Sequence, residues 1–450
     1  MERRNHDKRQ KQRKKYLKNA LSFVCMAGFL LMIVFHQRQV MDWMNQAKER
    51  IDPWSYEENT VLPKNLPNAE DAAEDFDSSK MVQGEQVFQN EVEPEKKLQQ
   101  TEEASLDVEQ QTVEVGKISK VDTQIRGVYF SARKVSSGEK VEQLIESLKG
   151  TNMNAVVIDV KDDRGNITFH VENAMAKKIG AVTNQITDVK EMLQKFHENG
   201  IYVIGRVVAF KDPILAVNNS EYAIRKADGT IFYDRAGDAW INPYNESCWK
   251  YLIDVASEAA RLGFDEIQFD YVRFSTEAKA ETVSFGVDSE KYTKSQVITD
   301  FIQYAVKRLH QYDTAVSADV FGAIINSEID AKTVGQDYVE LSRYLDYICP
   351  MIYPSHYADG CYGIDVPDLE PYQLILEVLT DSANQLSEID PTMHCAVVRP
   401  WLQDFTASWK KSYQTYGMKQ VNEQIDGVYD AGYSEWLFWN SSGKYSATRQ

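Results

Sequence analysis

Residues 263–274 read GFDEIQFDYVRF and contain the pattern on which the predicted fold depends. Glycine often ends a helix, so Gly263 predicts a helix end. The run 266–274 that follows is rich in apolar residues and predicts a short β-strand. Asp270 stands inside that strand, although strands disfavour aspartate and burying its charge is costly unless the charge is paired. The stretch therefore predicts a helix followed by a strand with an aspartate inside it, which taken alone is most often part of a structural ion pair.

The same unit recurs along the chain. Gly150 and Gly200 also stand just before strand-like runs, and apolar residues at helical spacing fill 141–148, 189–196 and 297–306. The eight predicted strands are 127–131, 155–161, 202–210, 266–274, 315–322, 346–354, 394–401 and 435–440. Such alternation predicts an α/β fold with a parallel sheet, and eight units favour closure into a (β/α)8 TIM-type barrel.

Two features qualify this prediction. An open doubly wound sheet is the alternative, but no G-x-G-x-x-G turn follows any of the strands. Only ten residues follow the last predicted strand, which is too short for a full eighth helix. We therefore expect a barrel over 126–450 that lacks a complete eighth helix.

The N-terminal region predicts a membrane anchor. Residues 1–18 carry nine basic side chains, and residues 20–35 form a run without charge. Because positive flanks stay in the cytoplasm, we predict a basic cytoplasmic tail at 1–18 and a transmembrane signal anchor at 19–36. A cleaved signal peptide is the alternative, but no small-x-small cleavage site follows the run promptly. The barrel would then lie outside the cell membrane.

Residues 37–125 predict a stem that is largely disordered. Between Glu70 and Glu114 there are fourteen acidic residues and three lysines, with little apolar periodicity. Such a segment cannot bury enough apolar surface to offset the entropy lost on ordering. The net charge of −18 argues against a nucleic-acid partner, because phosphate backbones require a surplus of lysine and arginine.

The five cysteines form no C-x-x-C pair, which disfavours a zinc ribbon or a thioredoxin-type site. Cys349 and Cys361 are candidates for a disulfide, although free buried thiols are the favoured interpretation. No cofactor and no metal are expected.

Polar residues gather near the predicted strand ends, where barrels of this type place their active sites. Several aspartates at one mouth favour a carboxylate-based site, because glycoside hydrolysis needs two carboxyl groups facing one bond. Arginines there would keep one carboxylate ionised, and aromatic rings would stack on sugars. The candidates are Asp159, Lys161, Asp163, Arg206, Asp270, Tyr271, Arg273, Asp319, Tyr353, His356, Arg399, Trp401 and Trp439.

The segments that carry these residues resemble a known family. GVYFSA, VVIDVKDDRG, IGRVVAFKDP, IQFDYVRF, SADVFG, ICPMIYPSHY and VRPWLQDF occur in this order between residues 126 and 445. They resemble bacterial glycoside hydrolase-like TIM barrels, long classed as a domain of unknown function and related in pattern to the α-galactosidase and α-amylase-like barrels.

The resemblance implies roles for two carboxylates. It implies that Asp270, at the end of strand 4, is the nucleophile and that Asp319, on strand 5, is the acid. The strand-5 acid of the amylase-like pattern is usually glutamate, so Asp159 or Asp163 is kept as the alternative second carboxylate. The remaining candidates are expected to bind substrate.

The sequence therefore predicts a membrane-anchored, extracytoplasmic glycosidase that cleaves O-glycosidic bonds of an envelope or extracellular polysaccharide. A non-catalytic carbohydrate-binding or scaffold protein on the same barrel is the first alternative, because a fold does not fix a function. A metal-dependent hydrolase or deacetylase is the second. It is disfavoured because the first predicted strand contains no His-x-His pair.

Overall fold

The computed structural model describes residues 123–279 and 281–446. Eight parallel strands form the centre of this part of the chain, and their interior positions are almost all buried. They are β1 (Arg126–Phe130), β2 (Ala155–Lys161), β3 (Tyr202–Val208), β4 (Glu266–Asp270), β5 (Ala315–Phe321), β6 (Tyr347–Met351), β7 (Val397–Val398 and Trp401–Gln403) and β8 (Trp436–Trp439).

The strands close into a barrel. β1 pairs with β2 on one side and with β8 on the other, so that Gly127 lies opposite Leu437. The two parts of β7 pair with β6, and the second part also pairs with β8. The predicted barrel is therefore confirmed, and the open doubly wound sheet is excluded.

Ten α-helices accompany the strands of the described chain. They are α1 (Gly138–Leu148), α2 (Ala174–Lys178), α3 (Val189–Glu198), α4 (Pro213–Asn218), α5 (Glu246–Leu262), α6 (Lys294–Leu309), α7 (Glu328–Val334), α8 (Tyr338–Ser342), α9 (Pro371–Leu386) and α10 (Met418–Asp430). The apolar stripes predicted from the sequence lie in α1, α3 and α6. Asn245 caps α5 by accepting a hydrogen bond from the Ser247 amide, and Gly263 ends that helix at φ +108°.

All strands except β2 differ from their predicted bounds by one or more residues, and the backbone explains the difference in two of them. β4 ends at Asp270, because Tyr271 adopts a left-handed conformation at φ +48° that takes 271–274 out of the sheet. β7 is interrupted at Arg399 and Pro400, since proline lacks the amide hydrogen that a strand ladder needs, and it resumes at Trp401. A two-stranded antiparallel sheet that the sequence did not predict joins the loops after β3 and β4, between Arg225–Lys226 and Val283–Ser284.

No helix follows β8 within the described residues, as expected. The chain after Trp439 instead packs back on the end of β1. The ring of Tyr445 meets that of Phe130 edge-on at 5.7 Å, and its hydroxyl donates to the Tyr129 carbonyl at 2.5 Å. The Ser446 amide donates to Asp404 at 2.6 Å. A short irregular segment thus occupies the place where the helix after β8 would begin.

Arg399 lies at the base of the barrel, so its predicted role in substrate binding is wrong. Its Nη1 donates to both carboxylate oxygens of Glu266, the first residue of β4, at 2.9 Å. Its Nε donates to Glu435 at 2.8 Å, and its guanidinium lies 3.7 Å from the centre of the Tyr347 ring. The side chain is fully buried and neutralises two glutamates at the end opposite the mouth.

The four cysteines in the described residues are free thiols, as favoured from the sequence. Within residues 123–279 and 281–446, no helix has the length and apolarity needed to cross a membrane. The predicted cytoplasmic tail, anchor and nearly all of the stem lie outside the described residues.

Candidate active site

A cluster of three aspartates around Arg206 occupies the mouth of the barrel, at the carboxyl ends of β2, β3 and β4. Nη1 of Arg206 donates to Asp159 at 2.7 Å. Nη2 donates to Asp163 and to Asp270, each at 2.7 Å, and Nε donates to Asp270 at 2.9 Å. A single guanidinium therefore holds three of the predicted site carboxylates in one place.

Asp270 accepts more hydrogen bonds than either of the other two aspartates. Both bonds from Arg206 reach its Oδ2, which leaves Oδ1 to accept a hydrogen bond from the Tyr271 amide at 2.6 Å. That bond depends on the left-handed backbone of Tyr271, a conformation that non-glycine residues adopt rarely and that concentrates at functional sites. The backbone and the arginine together fix the orientation of this carboxylate.

Asp319 on β5 lies in a different environment. Its side chain is almost entirely buried and accepts a hydrogen bond from Nε1 of Trp401 at 2.7 Å. Burial and the negative charge of Asp270 raise the pKa of Asp319 well above its ordinary value, against the opposing effects of Trp401 and Arg206. The environment of Asp319 thus favours its protonated form, and the buried Trp401 binds this carboxyl group, although it was expected to stack on a sugar.

Tyr129 at the end of β1 belongs to the cluster, although the sequence did not single it out. Its hydroxyl donates to Asp159 at 2.6 Å, and its ring packs on Trp439 at 4.2 Å. Both rings lie within 5.9 Å of the Arg206 guanidinium. Burial raises the pKa of Asp159 to about 6 despite the nearby arginine. The position of Tyr129 next to the end of a barrel strand is the signal that would have found it.

Asp163 is the most accessible of the three aspartates. Burial acts to raise its pKa, but the charges of Arg206 and Lys211 outweigh it and hold the pKa below its ordinary value. Asp163 is therefore the ionised counter-charge at the rim of the cluster, whereas Asp159 and Asp319 are the carboxyl groups whose pKa values are raised.

Lys161 was predicted to contact substrate, but its side chain is fully buried and paired within the protein. Its ammonium is fully buried, lies 2.9 Å from a carboxylate oxygen of Asp212 and donates to the Val208 carbonyl at 2.7 Å. A bulge in the pairing of β2 with β3 between Asp159 and Lys161 shifts the register at this point. Lys161 therefore holds the segment that follows β3.

Arg273 lies in the loop that begins at Tyr271. Its guanidinium lies 4.4 Å from the centre of the Phe321 ring, 5.0 Å from that of Trp240 and 5.2 Å from that of Tyr271. The side chain is buried among these rings. The structure thus places Arg273 behind Tyr271, where it supports the loop that follows Asp270.

Tyr353 and His356 lie on the far side of the mouth, in the loop after β6. Their rings are 5.4 Å apart, and Tyr353 is buried while His356 is partly exposed. Both rings pack against Phe405 in the loop after β7. Sequence reasoning missed Phe405 and its neighbour Trp409.

Within the described chain, no group of three or more histidine, cysteine, aspartate or glutamate side chains is arranged to hold a metal ion. Arg206 occupies the centre of the largest acidic cluster at the mouth, where a cation would otherwise be expected.

Comparison with one solved structure supports the barrel fold. The glycoside hydrolase domain of PgaB (BpsB) from Bordetella bronchiseptica is 12% identical, with 71% of this chain and 95% of that chain aligned and a TM-score of 0.53. An endo-1,4-β-D-mannanase from Thermotoga petrophila is 13% identical over 73% of this chain and 95% of that one, with a TM-score of 0.45. No curated protein sequence matches this chain.

A nearer relative in sequence is a hypothetical protein from Ruminiclostridium thermocellum ATCC 27405. It is 36% identical over 43% of this chain and 97% of that chain, with a TM-score of 0.40. The family DUF4015, described as "Putative glycosyl hydrolase domain", matches residues 127–445, which span the whole barrel and every residue of the site. This chain belongs to that family of glycosyl hydrolase-like domains.

Proposed function

We propose that the barrel hydrolyses O-glycosidic bonds, with Asp270 as the nucleophile and Asp319 as the general acid. The observation that carries this proposal is the contrast between two carboxyl groups on adjacent strands. Asp270 accepts two hydrogen bonds from a guanidinium, whereas Asp319 accepts one from an indole, and burial followed by the charge of Asp270 raises the pKa of Asp319. When the environments of two carboxyl groups differ in this way, the group with the raised pKa acts as the general acid and the other as its partner.

The proposed reaction has two steps. In the first, Asp270 attacks the anomeric carbon while the Asp319 proton passes to the leaving oxygen, so that the glycosidic bond breaks as the glycosyl-aspartate bond forms. In the second, the Asp319 carboxylate takes a proton from water, and the resulting hydroxide displaces Asp270. Both residues are then restored, and Arg206 neutralises Asp270 each time it is released.

The proposed acid role of Asp319 makes a prediction about leaving groups. Asp319→Ala should lower kcat/KM on unactivated oligosaccharides by at least about 10²-fold, since departing alkoxides need a proton. It should change kcat/KM on 2,4-dinitrophenyl glycosides by less than about tenfold, because dinitrophenolate leaves without one. The measurement compares both substrate classes for the wild type, Asp319→Ala and the exposed control Asp390→Ala.

The pH dependence gives the same assignment a second readout. Because the pKa of Asp319 is raised, its proton is present at low pH and is lost as pH rises through that pKa. Wild-type kcat/KM should therefore fall about tenfold per pH unit above the pKa of Asp319, which forms the alkaline limb of the pH profile. The profile of Asp319→Ala should lack this limb. Equal losses on both substrate classes, with the limb intact, would assign the acid to another residue, Asp159 being the next candidate.

We also propose that the enzyme acts outside the cell membrane on an envelope or extracellular polysaccharide. This proposal is supported by the nine basic residues in 1–18 and the uncharged run at 20–35. The full-length chain should remain in the membrane fraction after alkaline carbonate washing, and a variant lacking 19–36 should be released. Protease added to spheroplasts should digest the barrel. Retention that does not depend on 19–36 would contradict the anchor.

A further inference from the structure

Four aromatic side chains form a cluster on the β6–β7 side of the mouth, across from the Arg206 site. Tyr353 and His356 come from the loop after β6, and Phe405 and Trp409 come from the loop after β7. The ring of His356 lies between 5.4 and 6.4 Å from each of the other three. We call these four residues the aromatic platform. Because both loops follow the carboxyl ends of barrel strands, the platform lies on the same face as the carboxylates.

The outer layer of the platform is open to solvent. Trp409 is 46% exposed, and its ring lies nearly parallel to that of Phe405, at 6.0 Å and 20°. Phe405 in turn packs edge-on against the buried ring of Tyr353 at 5.8 Å. The exposed indole is therefore backed by two further rings, which keep it in place as a flat apolar surface.

The loop that carries Trp409 is held in position by its neighbour. The ammonium of Lys410 donates to the carbonyls of Ser355 at 3.1 Å and Tyr357 at 3.3 Å, both in the loop after β6. Gln403 adds a second connection by accepting a hydrogen bond from the Ser355 amide at 3.0 Å. A surface fixed before binding loses little conformational entropy when a ligand docks on it.

The platform presents no charge of its own. Burial and the nearby ammonium of Lys410 lower the pKa of His356 to about 3, so the imidazole is neutral at pH 7. The hydroxyl of Ser355 lies 3.1 Å from Nδ1 of this ring. Flat apolar rings with a few polar groups at their edge suit a neutral sugar, which has an apolar face and hydroxyl groups around its rim.

We propose that the aromatic platform is an outer subsite that binds a neutral pyranose of the glycan chain, away from the bond that is cleaved at Asp270. A ring whose substituents are all equatorial, as in β-1,4-linked glucose or N-acetylglucosamine, suits the platform well, because both of its faces then carry only C–H groups that can stack on Trp409. The proposal rests on the proposed function, and it adds that the substrate is a chain of several sugars rather than a short glycoside.

The test measures binding separately from hydrolysis. Cellohexaose and chitohexaose are titrated into the full-length chain carrying Asp270→Asn, which prevents turnover, and dissociation constants are taken from calorimetry. The Trp409→Ala substitution is then introduced into the same Asp270→Asn chain. Tyr413→Ala in that chain is the matched control, because Tyr413 is an equally exposed aromatic residue of the same loop. Trp409→Phe, which keeps a flat ring, serves as the conservative variant.

We expect at least one hexaose to bind, Trp409→Ala to weaken its binding at least about tenfold, and Trp409→Phe to recover most of the loss. Tyr413→Ala should stay within about twofold. In an otherwise wild-type chain, Trp409→Ala should leave kcat/KM on 2,4-dinitrophenyl glycosides within about twofold. The platform proposal is overturned if neither hexaose binds or if Trp409→Ala binds as tightly as its parent. Hexaose binding without hydrolysis of any glycoside would instead overturn the proposed catalysis and leave the subsite standing.

Discussion

Replacing Asp270 with asparagine is expected to lower kcat/KM at least about 10³-fold on every glycoside that the wild-type chain hydrolyses, dinitrophenyl glycosides included. The amide keeps the shape of the side chain and can still accept from Tyr271, but it cannot attack the anomeric carbon. Because departure of the leaving group is not the step that is lost, an activated leaving group should not rescue this variant. That insensitivity separates it from Asp319→Ala.

The matched control is Asp163→Asn, which removes a carboxylate bonded to the same arginine. Asp163 lies at the rim of the cluster and is neither the nucleophile nor the general acid of the proposed reaction, so we expect a loss of less than about tenfold. Both variants are compared with the wild type by thermal unfolding before they are assayed. Retention of a tenth or more of wild-type kcat/KM by Asp270→Asn would show that another group is the nucleophile.

Replacing Arg399 with methionine is expected to lower the free energy of unfolding by about 3–5 kcal/mol. The arginine is the cation that faces both Glu266 and Glu435 at the base of the barrel, and its loss leaves two carboxylates without compensation where water cannot reach them. Burial already raises the pKa of Glu266 despite the arginine. The stability deficit should therefore be largest at neutral pH and shrink as Glu266 becomes protonated at lower pH.

The control is Arg343→Met, which breaks an arginine–glutamate pair on the surface. Arg343 lies 3.2 Å from Glu340, but both side chains are about two-fifths exposed, so the expected cost is below about 1 kcal/mol. Chemical denaturation at pH 5 and pH 7.5 measures all three proteins. Similar losses for the two variants, or a loss for Arg399→Met that does not depend on pH, would contradict the structural role assigned to Arg399.

The sequence predicted the barrel well because its signals are local and repeated. Each strand–helix unit contains its own apolar run, its own helical stripe and often a terminal glycine, and eight such units leave few alternatives. The polar residues at the ends of β2, β3 and β4 were also found, since aspartate or arginine inside an apolar strand is conspicuous. The side chains of these residues meet at the Arg206 guanidinium because β2, β3 and β4 are neighbours in the barrel.

The errors came from features that no local pattern encodes. Arg399 and Lys161 sit on barrel strands as Arg206 does, but the direction in which a long side chain extends depends on which acid lies within reach. Trp401 was expected to stack on sugar, whereas its indole proton binds Asp319. Trp409 was missed because it lies beyond the strand ends, in a loop whose position depends on the contacts of Lys410.

The segment that replaces the eighth helix affects where a purification tag or fusion partner can be attached. In a complete barrel the last helix carries the chain back to the face opposite the active site. Here Tyr445 and Ser446 remain beside Tyr129 and Asp404, on the rim of the catalytic face. A purification tag or fusion partner joined directly after Ser446 would therefore start at the mouth of the barrel. One placed before residue 123 would start near Arg126, where β1 enters the barrel from the opposite end.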